Sequence, residues 1–128
     1  MRVKGKSVFL SGPMSGLEHF NVDEFAKAHD VLRKAGASTV YDPAIEYLRS
    51  ESVKDSERTH AYWMLRCIGE LTSMTPMTPT NIFSIETQGK YDVLVSLPGW
   101  KRSRGARLER KVAKACGIEV CDLRDVEP

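Results

Sequence analysis

Two short apolar segments that end in turns constrain this chain most, because each predicts a buried strand. Ser7–Ser11 and residues 91–97 are rich in Val, Leu and Phe, and Gly and Pro follow each of them directly. A helical pattern comes next in both cases, over residues 22–35 and residues 104–116. Strands that alternate with helices predict an α/β fold with a mostly parallel sheet.

The remaining elements follow from weaker patterns. Residues 38–41 and 118–121 are predicted strands, and residues 57–71 a predicted helix. Residues 72–90 contain two prolines and five threonines, which argues against a helix and predicts a long loop. Asn21 or Asp23 is expected to cap the first long helix, and Gly36 to end it. The expected core-facing residues are Val22, Phe25, Ala26 and Leu32 in the first long helix, and Leu108, Val112 and Ala115 in the last.

Length and composition restrict the class of protein. A chain of 128 residues suits one domain over residues 1–128, and its net charge of +2 argues against bulk nucleic-acid binding or a polybasic membrane anchor. Its three cysteines lack the C-x-x-C spacing of zinc or redox sites, which favours thiols in a reducing compartment. With no visible secretory leader or membrane-spanning run, the expected location is the cytoplasm.

Two segments are suited to bind an anion at the carboxyl edge of such a sheet. The loop after the first strand, residues 12–16, allows close backbone approach through Gly12 and Gly16. The start of the last helix, at Ser103 and Gly105, offers free N–H groups and the positive end of a helix dipole. The alternative interpretations are a tight turn for the loop and a helix cap for Ser103.

A basic segment surrounds a single acid near the C-terminus. Residues 101–114 hold seven Lys or Arg and one acid, Glu109. If Leu108, Val112 and Ala115 face the core, the cations form a solvated helix face. Glu109 lies about one turn into the helix, where the dipole favours an ionised carboxylate suited to covalent glycosidase chemistry. The alternative is a surface Glu paired with its basic neighbours.

Two motifs resemble a known superfamily. The segment F-L-S-G-P-M-S-G at residues 9–16 and the segment L-P-G-W-K-R-S-R-G-A-R-L-E at residues 97–109 are similar to those of the nucleoside 2-deoxyribosyltransferase-like superfamily. The most similar branch is small, phage-associated and of unknown function, with an L-P-G-W-x-x-S-x-G-A-x-x-E signature. The resemblance covers both ends of the domain and is poor from about residue 44 to residue 90.

The resemblance implies a fold, a reaction and site residues. The implied fold is a Rossmann-like three-layer sandwich with about 4–5 strands, commonly dimeric. The implied reaction cleaves or exchanges the N-glycosidic bond of a nucleoside or nucleotide, without a cofactor or metal. Glu109 takes the position of the nucleophile. Ser103 takes the position that is an acid in the transferases and a phosphate-binding serine in the 5′-monophosphate N-glycosidases, because a carboxylate would repel a phosphate. The implied substrate-binding residues are Ser11, Gly12, Met14, Ser15, Gly16, Trp100, Ser103 and Gly105. Trp100 either stacks on a base or is a packing anchor. Arg102, Arg104 and Arg107 add positive potential near the phosphate.

One expected residue of that superfamily is missing. Its enzymes carry an aspartate on the helix before the strand at residues 91–97, and alignment puts either Ser84 or Cys67 there. The candidates that remain for the acid that protonates the leaving base are Glu70, Glu86 and His60, or none of them. For His60, the favoured interpretation is a helix-surface residue.

Three classes of function follow from these observations. The first is a nucleotide N-glycosidase that acts on a (deoxy)nucleoside 5′-monophosphate through a glycosyl-Glu109 intermediate, or a related deoxyribosyltransferase. The second is a non-catalytic nucleotide-binding protein of the same fold, which the missing aspartate favours. The third, nucleic-acid binding through residues 101–114, is disfavoured by the near-neutral total charge.

Overall fold

The computed structural model of the protein describes residues 1–14, 17, 21–45, 60–76 and 87–128, and of residues 75, 76, 87 and 88 it describes the backbone. The six strands are β1 (Ser7–Ser11), β2 (Thr39–Tyr41), β3 (Met74–Pro76), β4 (Thr87–Gly89), β5 (Val93–Ser96) and β6 (Glu119–Asp122). The three long helices are α1 (Val22–Lys34), α2 (His60–Leu71) and α3 (Arg104–Ala115), and single 3-10 turns lie at Trp100–Arg102 and Leu123–Asp125.

Four strands form one parallel sheet in the order β2-β1-β5-β6. β1 and β5 lie side by side at its centre and are buried on both faces, which explains their continuous apolar runs. The predicted small parallel α/β sheet is therefore confirmed. None of the described helices is long and apolar enough to span a membrane.

Helices cover both faces of this sheet, which makes three layers. Alternation along β1 sends Val8 and Leu10 to the face of α1, and Phe9 to the opposite face. The first core cluster includes Val8, Leu10, Phe25, Ala28, Leu32, Val93, Val95 and Leu97. The second includes Phe9, Cys67, Leu71, Tyr91, Leu94, Ala113 and Ile118, so that α2 and α3 share one face of the sheet.

The start of α1 differs from the predicted cap. Asn21 occupies the N-cap position, but its backbone is left-handed at φ 64° and its side chain makes no capping hydrogen bond. Asn21 Nδ2 instead donates to the carbonyl of Pro13 over 3.0 Å, which ties the loop after β1 to the helix. α1 ends at Lys34, ahead of Gly36 at φ 94°, as the predicted stop requires.

The predicted buried faces of two helices need correction. In α1, Phe25 and Leu32 are buried as expected, but the third fully buried residue is Ala28, and Ala26 is exposed. In α3 the prediction was wrong at two positions, since Leu108 is 45% exposed and Ala115 is exposed, whereas Val112 packs partly against the core. The buried residues of α3 are Ala106, Glu109 and Ala113. The pattern misled because one of the inward residues is a glutamate.

The loop predicted over residues 72–90 contains two strands. β3 and β4 pair antiparallel, with Met74 opposite Gly89 and Pro76 opposite Thr87. Threonine favours extended backbone, and the proline stands at the end of its strand, where one missing donor is tolerated. Residues 77–86, including Ser84 and Glu86, lie outside the described part of the chain.

The observed orientation of α3 predicts opposite outcomes for two identical substitutions. Ala113→Leu overpacks a fully buried position and should lower the free energy of unfolding by about 1–3 kcal/mol. Ala115→Leu, on the exposed side of the same helix, should change it by less than about 0.5 kcal/mol. Urea denaturation followed by circular dichroism measures both, and a larger loss for Ala115→Leu would contradict this orientation.

Candidate active site

A cleft of about 790 Å³ opens at the carboxyl ends of β1 and β5. The chain leaves β1 towards β2 on one side of the sheet, and leaves β5 towards β6 on the other. Such a point of divergence is where open parallel sheets form their ligand-binding crevice. The described residues that line it are Gly12, Pro13, Met14, Leu17, Asn21, Glu24, His60, Trp63, Met64, Cys67, Pro98, Gly99, Arg102, Ser103, Arg104, Gly105, Ala106 and Glu109.

A row of polar side chains crosses the sheet at this edge. Ser11, Ser96 and Asp122 end three adjacent strands and lie in register with one another. Ser11 Oγ donates a hydrogen bond of 2.9 Å to Glu109 Oε1. The next residue of α3, Arg110, donates to Ser96 Oγ over 2.9 Å and to Asp122 Oδ1 over 3.1 Å. Two consecutive residues of α3 are thereby fixed to the ends of three strands.

Glu109 is the buried carboxyl group of this cleft. The residue is 6% exposed. Burial raises its pKa to about 8, and the hydrogen bond from Ser11 offsets only part of that rise. The ionised carboxylate expected at this position is therefore not favoured, because the loss of solvation on burial favours the protonated form of Glu109. At neutral pH the carboxyl group is mostly protonated.

The start of α3 forms one wall of the cleft. Ser103 is its N-cap, since Ser103 Oγ accepts a hydrogen bond of 3.2 Å from the backbone N–H of Ala106. Gly105 lies so close to α2 that a Cβ atom there would meet Met64 Sδ at 3.1 Å. Arg102 and Arg104 are exposed and line the same wall, whereas Arg107 lies on the neighbouring surface. The helix-cap interpretation of Ser103 is therefore confirmed, and the residue also lines the cleft.

The loop after β1 forms the opposite wall. Gly12 and Met14 line the cleft, and a Cβ atom on Gly12 would lie 2.7 Å from Leu97 Cβ. This contact requires glycine, because β1 and the residue after β5 approach too closely for a side chain. Ser11 does not line the cleft; it stands behind Glu109, 1% exposed. Ser15 and Gly16 lie outside the described residues.

Trp100 lies outside this cleft and packs on the sheet edge. Its Nε1 donates to Asp122 Oδ1 over 3.1 Å, and the Arg110 guanidinium stands 4.0 Å from the ring centroid. This geometry favours the packing-anchor interpretation. The indole that does line the cleft is that of Trp63 in α2, which is 5% exposed.

The three candidates for the acid that protonates the leaving base, His60, Glu70 and Glu86, differ in their position relative to the cleft. His60 is exposed and lines the cleft. Glu70 is absent from its described lining, because it accepts hydrogen bonds from Lys90 and Tyr91 elsewhere. Burial alone would raise the pKa of Glu70, but those two hydrogen bonds and the positive charges of Lys90 and Arg66 together outweigh burial and lower it. Glu86 lies outside the described residues.

Sequence reasoning named His60 and Cys67 of α2 but missed Trp63, Met64 and Glu24. His60, Trp63, Met64 and Cys67 line the cleft with i, i+3, i+4 and i+7 spacing, so one helix face supplies all four. That spacing was the available signal. Cys67, one of the two positions aligned with the missing aspartate, is thus a buried residue of the cleft wall. Glu24 in the first turn of α1 adds a second carboxyl group, paired with Lys27 at 3.3 Å.

The chain matches one protein-family model over residues 6–122. It belongs to the DUF4406 family, a domain of unknown function. The matched region contains every described residue of the cleft. No curated protein and no solved structure matches this DUF4406 domain.

The raised pKa of Glu109 predicts a pH-dependent stability for this DUF4406 domain. The Glu109 carboxyl group has a pKa of about 8 in the folded state and about 4.5 in the unfolded state. The free energy of unfolding should therefore fall as pH rises between these values. The loss contributed by Glu109 should reach roughly 5 kcal/mol above pH 8, at about 1.4 kcal/mol for each pKa unit. Glu109→Gln keeps the shape without the titration.

The measurement is urea unfolding of both proteins from pH 5 to pH 9. The stability of Glu109→Gln minus that of the wild type should grow as pH rises, since other titrating groups cancel in the difference. A difference that stays constant or shrinks over this range would show that Glu109 is not held protonated.

Proposed function

We propose that this protein is a nucleotide N-glycosidase that hydrolyses a (deoxy)nucleoside 5′-monophosphate with Glu109 as nucleophile. The observation that carries the proposal is the position of Glu109: a buried carboxyl group in the cleft wall, one turn from the start of α3. Gly105 and Glu109 are four residues apart, about 6 Å along the helix axis. In the proposal, the phosphate binds near Gly105 and the sugar reacts at Glu109.

The start of α3 suits the 5′-phosphate. The first backbone N–H groups of the helix have no partner within it, and they carry the positive end of the helix dipole. Arg102 and Arg104 line the cleft at the same place and supply full positive charge. Ser103 can donate its hydroxyl hydrogen to a phosphate oxygen while its oxygen accepts from Ala106.

The base is best placed against the apolar wall on α2. Trp63 and Met64 offer a flat ring and a polarizable thioether, and Met14 faces them from the loop after β1. A cleft of about 790 Å³ accommodates a mononucleotide. In this arrangement the base stacks on Trp63 and does not stack on Trp100.

The proposed reaction has two displacement steps at C1′. A Glu109 carboxylate oxygen bonds to C1′ while the C1′–N bond breaks, and its electron pair leaves with the base, which takes up one proton. Water then attacks C1′ and loses one proton, while the bond from C1′ to Glu109 breaks and its electron pair returns to the carboxylate; the product is the sugar 5′-phosphate. His60 and Glu24 are titratable residues of the described wall that can supply or relay the proton.

One observation favours a second candidate, a protein that binds nucleotides without cleaving them. Because burial raises the pKa of Glu109 to about 8, its carboxyl group is mostly neutral at neutral pH, and a neutral carboxyl group is a poor nucleophile but a good hydrogen-bond donor. A deoxyribosyltransferase remains the variant in which a second base, rather than water, takes the sugar.

Loss of the Glu109 carboxyl group should abolish turnover. Glu109→Gln should reduce base release from the best nucleoside monophosphate at least about 10³-fold, because the nucleophile is removed. Glu119→Gln, on the exposed edge of β6, is the matched control and should retain activity. Chromatography of free base over a panel of ribo- and deoxyribonucleoside monophosphates measures both.

The same panel separates the candidates. Equal rates for wild type and Glu109→Gln on every substrate would refute the glycosidase. Saturable binding without base release would identify the binding protein, and a new nucleoside that forms only when a second base is added would identify the transferase.

The pH dependence of kcat/KM should report the ionisation of Glu109. If the carboxylate is the nucleophile, kcat/KM should rise with pH to a plateau above about 8, the pKa in the free protein. Steady-state rates from pH 5 to pH 9.5 test this. A rate that instead falls through the same pH would assign Glu109 the role of an acid and exclude nucleophilic attack.

A further inference from the structure

Four cations form a continuous stripe on the exposed side of α3. Arg104, Arg107, Lys111 and Lys114 follow one another at i, i+3, i+7 and i+10, a spacing that places them on one side of a helix. All four are exposed. We call them the basic stripe. It runs about 15 Å along the helix from its first residue, next to the cleft.

The basic stripe carries uncompensated charge. Glu109 is the single acid of α3, and it points into the protein rather than towards these cations. Among the ion pairs between described residues, none involves a member of the stripe. By contrast, the neighbouring Arg110 is neutralised by Asp122 at 3.1 Å.

The stripe and the cleft belong to one continuous surface. A depression of about 600 Å³ contains the whole stripe and shares His60, Met64 and Arg104 with the cleft. Its floor is partly apolar, because Leu108 is 45% exposed and Trp100 also borders it. Cations beside aromatic and apolar side chains are the combination that contacts phosphates and bases together.

We propose that the ligand is a single-stranded nucleic acid, with one nucleotide in the cleft and the adjoining phosphates along the basic stripe. The identity of the nucleotide in the cleft rests on the proposed function. A mononucleotide would engage the start of α3 alone and leave the rest of the stripe without a counter-charge. A strand supplies a phosphate for each successive turn of the helix, and Leu108 and Trp100 supply surface for its bases and sugars.

The near-neutral net charge of the chain does not argue against this ligand. The net charge of +2 averages over the whole chain, whereas a nucleic acid meets only the face that it contacts. An anionic membrane or an acidic protein would also meet a basic face. Neither explains why the stripe leads into a cleft whose wall contains Trp63.

Binding should depend on strand length, salt and the stripe. The probes are fluorescein-labelled oligothymidylates of two, four, eight and twelve nucleotides, measured by fluorescence anisotropy with the full chain. We expect affinity to rise at least about tenfold from two to eight nucleotides, and to fall with salt at a log–log slope of roughly 2–3, at about 0.7 per phosphate contacted. Arg107→Glu combined with Lys111→Glu should weaken binding at least about tenfold and reduce the slope.

The control variant is Lys4→Glu, which reverses an exposed charge outside the stripe and should leave binding unchanged. Circular dichroism of each variant verifies folding. Affinity independent of length, or stripe variants that bind like the wild type, would overturn the inference. So would stripe-dependent binding to phosphatidylserine vesicles without binding to the oligonucleotides, which would assign the face to a membrane.

The two proposals fail separately. Stripe-dependent binding of oligonucleotides with no base release by wild type would support the inference and reject the N-glycosidase. Hydrolysis of mononucleotides that depends on Glu109, with no stripe-dependent binding of oligonucleotides, would leave the proposed function standing and reject the inference alone.

Discussion

The hydrogen bond from Ser11 to Glu109 fixes the position of α3, and most of the site depends on it. A buried carboxyl group is costly unless it is hydrogen-bonded or protonated, and Glu109 satisfies both conditions. Arg110 adds two bonds to the next strand ends, so α3 is held in one rotation and at one height along the sheet. That rotation places the first turn of α3 at the mouth of the cleft.

Small residues make this arrangement possible. Ala106 and Ala113 face inward on either side of Glu109, so the helix can lie close enough to the sheet for the carboxyl group to reach Ser11. Gly12 and Gly105 leave no side chain where Leu97 and Met64 approach, so the loop after β1 and the start of α3 pack closely against their neighbours. The cleft is therefore a result of close packing around it, because each wall is held by contacts that a larger residue would break.

The sequence predicted those parts of the fold in which local pattern and tertiary packing agree. β1, β5 and the limits of α1 and α3 followed from apolar runs, turn residues and caps. The inward face of α3 did not, because a rule based on hydrophobicity treats Glu109 as solvent-facing and Leu108 as core. The strand pair β3 and β4 was not predicted, because Pro76 argues against regular structure. Trp63 was not predicted to line the cleft, because it is far from the motifs in sequence and reaches the cleft through the packing of α2 against α3. Of the site residues drawn from motifs, five line one cleft: Gly12, Met14, Ser103, Gly105 and Glu109. Ser11 and Trp100 are absent from its lining, and Ser15 and Gly16 lie outside the described residues.

Inward placement of Glu109 also changes how the charge of the chain acts. A glutamate on the surface of α3 would lie within one turn of several cations and would reduce their potential. Buried and protonated at neutral pH, it contributes almost no negative charge to that surface. The side chain that supplies a carboxyl group to the cleft therefore leaves no acidic residue of α3 on its outer face. The proposed chemistry in the cleft and the proposed binding of a nucleic acid on the outer face both depend on this rotation of α3, and a substitution that turned the helix should disturb both together.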